Sequence, residues 1–223
     1  GIGISLATHI AKCAGVSDRK FGDLESDIKS LHEKSFPVLD DARGEEMAQR
    51  ILKAREEADS VGGVTETVIC STSAGVGEPW FDSVESIISH AAFSLGGVKG
   101  VEFGAGFAAA DMKGSECNDP LRVSGGRIVT TTNNNGGVNG GITNGMPIVF
   151  RCAVKPTPSI AQQQDTVDFI KNENTQLSIH GRHDPAIIRR ICPVLDSVAA
   201  LCVADMLSLR YGTDVLTKGV DDR

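Results

Sequence analysis

The chain has 223 residues, a formal net charge of -7 and an aromatic content of 4%. The acidic balance excludes a general nucleic-acid binder, which needs clustered Lys and Arg, and so few aromatic rings leave little for base stacking. The length suits one large domain spanning 1–223 with a substantial core, and no Pro/Ser-rich linker or charge block divides it.

Taken in chain order, residues 2–10 alternate Ile2, Ile4, Leu6, Thr8 and Ile10 against small or polar residues, which predicts a half-buried strand. Leu24, Ile28 and Leu31 mark one side of a polar helix over 23–34. Met47, Ile51, Ala54 and Ala58 mark an amphipathic helix over 40–59 with a solvated charged face, ended by Gly62-Gly63. A strand over 64–70 and a Gly- and Pro-bearing turn over 73–79 come next. Phe81, Val84, Ile88, Ala91 and Leu95 then define a helix that stops at Gly96-Gly97.

Val98 to Phe103 predicts a further strand. Residues 104–146, rich in Gly and Asn, predict a long loop of the kind that serves as a lid or binding segment, with 108–139 mobile in the absence of ligand. Asn134 to Gly137 also suits a plain hairpin turn. Ile148, Phe150, Cys152 and Val154 alternate with Arg151 and Lys155, which predicts a strand with the two cations on the less apolar face. A polar connection over 156–180 leads to Gly181-Arg182-His183-Asp184-Pro185, with Asp184 as the expected N-cap and Pro185 at the first position of a long helix. Ile187, Ile188, Ile191, Val194, Leu195, Val198, Leu201 and Cys202 form its apolar stripe. Strands and helices mix without regular alternation, so the expected class is α+β.

Six cysteines carry no CxxC pair and no zinc-like spacing with His, which predicts free buried thiols in a reducing cytoplasm and no metal site. No unbroken apolar run approaches bilayer length and the start Gly1-Ile2-Gly3-Ile4 lacks the basic region of a signal peptide, so a soluble chain without a membrane partner is expected. Walker A, GxGxxG, HExxH and GxSxG motifs are all absent, and no nicotinamide motif is visible. Chemistry-bearing residues collect in three places. The glycines Gly96-Gly97 and Gly136 to Gly145 let a backbone approach a ligand closely. Lys155-Pro156-Thr157-Pro158-Ser159 offers a cation and two hydroxyls, or a plain Pro-stiffened turn. Arg182 with the following helix start suits an anion, and Asp184 suits either capping or proton transfer.

Six segments, Gly75 to Pro79, Val98 to Phe107, Gly114 to Asp119, Gly140 to Gly145, Lys155 to Ile160 and Gly181 to Pro185, occur in the order seen in chorismate synthases, and over 62–210 the chain closely resembles that family. Asp59 to Gly63 extends the match, while residues 1–58 fit more loosely. The resemblance implies a β-α-β sandwich of antiparallel sheets around a helical core, a homotetramer, reduced FMN as cofactor and a small phosphorylated substrate. It implies flavin contacts at Gly96, Gly97, Gly140, Lys155, Pro156, Thr157, Pro158, Ser159 and Arg182, with Asp184 assisting proton movement at the flavin. Two departures bear on activity. The family's Gly-Glu-Ser-His-Gly segment, a second histidine and several substrate-gripping arginines are missing, and Gly96 stands where Asn is often found. The expectation is a core fragment with little turnover alone, the alternative being a non-catalytic flavin- or phosphate-binding module.

Overall fold

The computed structural model describes residues 3–181 and 183–218. Its centre is a five-stranded, wholly antiparallel sheet in the order β2 (Val16–Ser17), β1 (Ser5–Cys13), β3 (Gly63–Cys70), β9 (Ile148–Val154), β4 (Val98–Phe103). The period-2 alternation decides which side faces in. Ile10, Ile69, Ile148, Phe150, Cys152 and Val154 join the main core with the long helix α5 (Ile188–Tyr211) and α3 (Val84–Phe93). On the other face Ala7 and Val68 pack against Ile28 and Leu31 of α1 (Leu24–Glu33). Mixed helix and antiparallel sheet, with helix at the core, is the class the sequence led us to expect.

α2 (Asp41–Glu56) is capped by Asp40, whose carboxylate accepts from the backbone N–H of Ala42 and Arg43, and Met47 anchors it in the core. It ends earlier than its pattern suggests. Ala58, at φ 57, turns the chain out, and Gly63 instead opens β3, where a Cβ would collide with the Lys12 carbonyl and, at 2.6 Å, with Ile188 Cδ1. α3 starts at Ser83, which accepts from the Ser86 N–H, so Phe81 lies outside the helix and is exposed.

α5 begins three residues later than the Asp-Pro signal indicates. Its N-cap is Ile187, without a side-chain cap, while Pro185 lends its carbonyl to the Val61 N–H and is held in a bend instead of a first turn. Ile188, Ile191 and Leu195 are buried as expected, but Val194 and Leu201 face outward. α5 is apolar and long enough, by length and composition, to cross a membrane, although the sequence has no unbroken run of that kind. In this fold it is the helix that backs the sheet, with nine buried residues.

Two segments expected to be irregular contain structure. Between 104 and 146 lie a 3₁₀ stretch at Gly106–Asp111, α4 (Gly114–Cys117), the hairpin β5 (Leu121–Ser124) and β6 (Arg127–Thr130), and the short pair β7 (Val138–Asn139) and β8 (Ile142–Thr143). Asp119 organises this region. Its carboxylate accepts from Thr132 Oγ1 at 2.7 Å, the Asn134 and Asn135 N–H at 2.7 and 2.9 Å, and Asn135 Nδ2 at 2.9 Å. Burial works against its charge, but these hydrogen bonds outweigh it and hold the carboxyl below its ordinary range. Asp119→Ala is expected to raise amide exchange across 131–137 at least tenfold while the central strands keep their protection; unchanged exchange there would show the loop is held by other contacts. The polar connection contains a second hairpin, β10 (Gln164–Asp168) and β11 (Glu173–Leu177), turned at Asn172 with φ 56, and α6 (Val215–Lys218) follows α5. All six cysteines are free; burial pushes the thiols of Cys13 and Cys152 up to about 11 and about 12, which keeps them protonated and unreactive.

Candidate functional site

β4 and β9 are paired neighbours, so the turn before β4 and the turn after β9 end on the same edge of the sheet. Their contact is made by backbone: the Lys155 N–H donates to the Gly97 carbonyl at 2.9 Å. Gly97 has φ +101, and a Cβ there would stand 2.7 Å from Ile187 Cδ1, so only glycine lets this turn close on the residues leading into α5. Gly96 faces open space. The lysine turn is fastened at its far side as well, since Ser60 Oγ donates to the Thr157 carbonyl at 2.6 Å and Pro156 lies against Gly62.

The glycine turn, the lysine turn and the segment around Asp184 therefore converge. Asp184 and Pro185 line a cleft of about 480 Å³ with Arg55, His183 and Arg190. An adjoining cavity of about 230 Å³ is bounded by Asp184, Arg55, Ser60, Ser159, Ile160 and Gly181 among others. Asp184 is not the cap of α5. Its Oδ1 accepts from the Ala186 N–H at 3.2 Å and its Oδ2 pairs with Arg190 Nε at 3.2 Å. His183 Nε2 lies 3.0 Å from the Ile179 carbonyl, a bond that shapes the segment. Lys155 and Pro158 are exposed, and the buried Thr157 Oγ1 has no hydrogen-bond partner among the described residues. Arg182 lies outside the described residues.

Gly140 is not brought to this cleft. It sits at φ +60 in the turn between β7 and β8, next to Gly141, whose carbonyl accepts the first N–H of α3. The Gly96-Gly97 turn follows the other end of that helix, so the length of α3, about 15 Å for ten residues, separates them.

Arg55, Ser60 and Arg190 were not singled out from sequence. Arg55 reads as part of the solvated face of α2, and Arg190 as a helix surface residue. No spacing rule connects residues 55, 159 and 184; the fold does, by returning the chain after α2 past the lysine turn.

The chorismate synthase family model matches residues 1–208. The chorismate synthase of Methanosarcina acetivorans is 42% identical over 210 residues, which is 94% of this chain and 57% of that protein. That of Korarchaeum cryptofilum is 49% identical over 166 residues, 74% of this chain and 46% of the other. A crystal structure of a chorismate synthase superposes with a TM-score of 0.76 at 28% identity, covering 95% of this chain and 59% of that one. The chain thus spans about half the length of the relatives it matches. With the family pattern running through nearly the whole sequence and the same fold in a solved member, the chain belongs to the chorismate synthase family.

Proposed function

We propose that this chain is the flavin-binding core of a chorismate synthase, an enzyme that eliminates phosphate in the 1,4-anti sense from 5-enolpyruvylshikimate 3-phosphate to give chorismate in the shikimate pathway. The observation that carries the reading is that Ser159 and Ile160 of the lysine turn share one cavity with Asp184, while the backbone bond from Lys155 to Gly97 fastens the glycine turn to the start of the lysine turn. The residues present fit reduced FMN. A buried hydroxyl without a partner, Thr157 Oγ1, costs stability, on the order of 1–3 kcal/mol, unless something bonds to it, and the serine and lysine beside it are further donors. Lys155, Thr157, Ser159 and Arg182 would hold the polar tail, with Gly96, Gly97, Pro156 and Pro158 against the ring; Gly140 would reach it only from the far end of α3.

Reduced FMN, when bound, supplies electron density to the allylic system that loses phosphate. The protein's part is to bind, orient and move a proton. Asp184 holds the proton-carrying carboxyl, and the Ala186 N–H and Arg190 fix its direction toward the cleft. Cations beside the leaving group stabilise the charge it gains as it departs. We place the complete enzyme in the cytoplasm as a homotetramer, residues 1–223 forming one domain of it. The six free thiols support the reducing compartment.

The expected result for the 223 residues alone is a flavin absorbance or fluorescence change on adding FMN, with little or no turnover in a forward assay. In an enzyme of full family length, Asp184→Asn should lower kcat by roughly 10²- to 10⁴-fold while FMN still binds. Absence of any flavin signal, or Asp184→Asn at full activity, would defeat the assignment. Binding of FMN by a full-length form that never turns over would favour the second reading, a non-catalytic flavin- or phosphate-binding module.

A further inference from the structure

Three groups on the cleft wall are basic or can become so, and the Asp184 carboxylate is the acid facing them. Arg55 makes no side-chain hydrogen bond or ion pair among the described residues, although it lines both the larger cleft and the adjoining cavity. Arg190 pairs with Asp184 through Nε at 3.2 Å, and its two terminal nitrogens make no hydrogen bond among the described residues, so they are unspent donors. Its side chain is 78% exposed, and an ion pair so open to water is weak and exchangeable. A guanidinium gives up such a partner readily for a phosphate dianion, which it meets with two parallel N–H bonds. Asp184 would stay in place during the exchange, because its other oxygen is held by the Ala186 N–H.

We infer that Arg55 and Arg190 form a clamp for a phosphate monoester dianion, and that the arriving phosphate takes Arg190 from Asp184. The inference rests on the flavin-site reading and deepens it. It makes ligand arrival the event that frees the carboxylate for proton transfer, with no bond made or broken beyond the exchange of one ion pair for another. Two phosphate sources share this chemistry, the tail of FMN and a phosphorylated substrate.

The test uses the 223-residue chain at fixed ionic strength with three probes: inorganic phosphate, FMN and riboflavin, which lacks the phosphate. Phosphate is followed by calorimetry and the flavins by fluorescence. Arg55→Gln, an exposed substitution whose folding is checked by circular dichroism, should weaken phosphate binding tenfold or more, with Arg55→Lys recovering part of the loss. Asp184→Asn should tighten phosphate several-fold, because the competing carboxylate is gone, an effect a purely structural Asp184 would not produce. If the tail of FMN is the occupant, Arg55→Gln weakens FMN and leaves riboflavin unchanged; if both flavins are indifferent while phosphate responds, the occupant is the substrate's phosphate. Phosphate that fails to bind the parent, or that binds Arg55→Gln and Arg190→Gln as tightly as the parent, overturns the clamp. FMN and riboflavin binding alike in that case leaves the flavin reading standing; phosphate responding while neither flavin binds leaves the clamp standing and removes the flavin reading.

Discussion

Asp18→Ala should lower unfolding free energy by about 3–5 kcal/mol, the range for breaking a buried ion pair from one side. His9 is fully buried in β1 with a carboxylate at each ring nitrogen: Asp18 Oδ2 lies 2.8 Å from Nδ1 and Glu66 Oε1 lies 3.4 Å from Nε2. A carboxylate at each ring nitrogen favours the imidazolium, the form in which both nitrogens donate. Burial alone would lower the His9 pKa, but the two carboxylates outweigh it and raise the pKa above its ordinary value. Asp18 is likewise opposed by burial, and its bonds from His9 and from the N–H of Leu39 and Asp40 bring its pKa below the usual range. Phe21 meets the ring edge-on, Arg19 pairs with Asp27 nearby, and Glu66 continues to Arg151 and Glu102 across the sheet.

The raised His9 pKa contributes stability fully present below about pH 6.5, the unfolded value, and lost as pH climbs through the higher folded one. The depressed Asp18 pKa contributes stability present above about pH 3.9 and lost as pH falls through the lower folded one. Urea unfolding of the parent should therefore show a stability maximum between these limits that Asp18→Ala flattens. Equal stability of parent and variant at pH 6, or a neutral His9 ring by nitrogen NMR at that pH, would refute the clasp.

Phe150→Ala is expected to cost about 3–5 kcal/mol, measured as a fall in the urea midpoint without a change in slope. Phe150 lies in β9, the strand joined to both β3 and β4, is 1% exposed, and stacks on Phe103 with ring centroids 5.6 Å apart. Truncation leaves a void that β9 cannot close without losing register on two sides. Phe150→Leu should recover much of the loss, and a cost below 1 kcal/mol for the alanine variant would mean that the sheet repacks freely.

The central sheet was legible because its strands alternate. Ile148, Phe150, Cys152 and Val154 each fall on the face the pattern assigns, and Arg151 falls on the other, where it meets Glu102. The hairpin β10–β11 was not, since it is polar and exposed on both faces and so carries no periodicity. β5–β6 carried a signal that went unused: Gly125 and Gly126, both at positive φ, separate two short runs in a two-residue turn. The start of α5 was misplaced because an Asp-Pro pair suits a bend as well as a cap, and tertiary contacts through Val61 and Arg190 select the bend. At the site, the lysine turn and Asp184 could be read from order and residue type, but Arg55 could not. The same holds for the cluster of His9, Asp18 and Glu66, whose closeness depends on the pairing of β1 with β3.

The bond from the Lys155 N–H to the Gly97 carbonyl has a bearing on how this cleft tolerates change. Since the main chain alone sets the spacing of the two turns, the side chain at 155 is free to be exchanged, and the frame keeps its shape. Position 97 has no such latitude, because any larger residue pushes against Ile187 and levers the turns away from the helix. Variation in ligand preference is therefore expected to accumulate at residue 155 and its exposed neighbours, with the glycine left untouched.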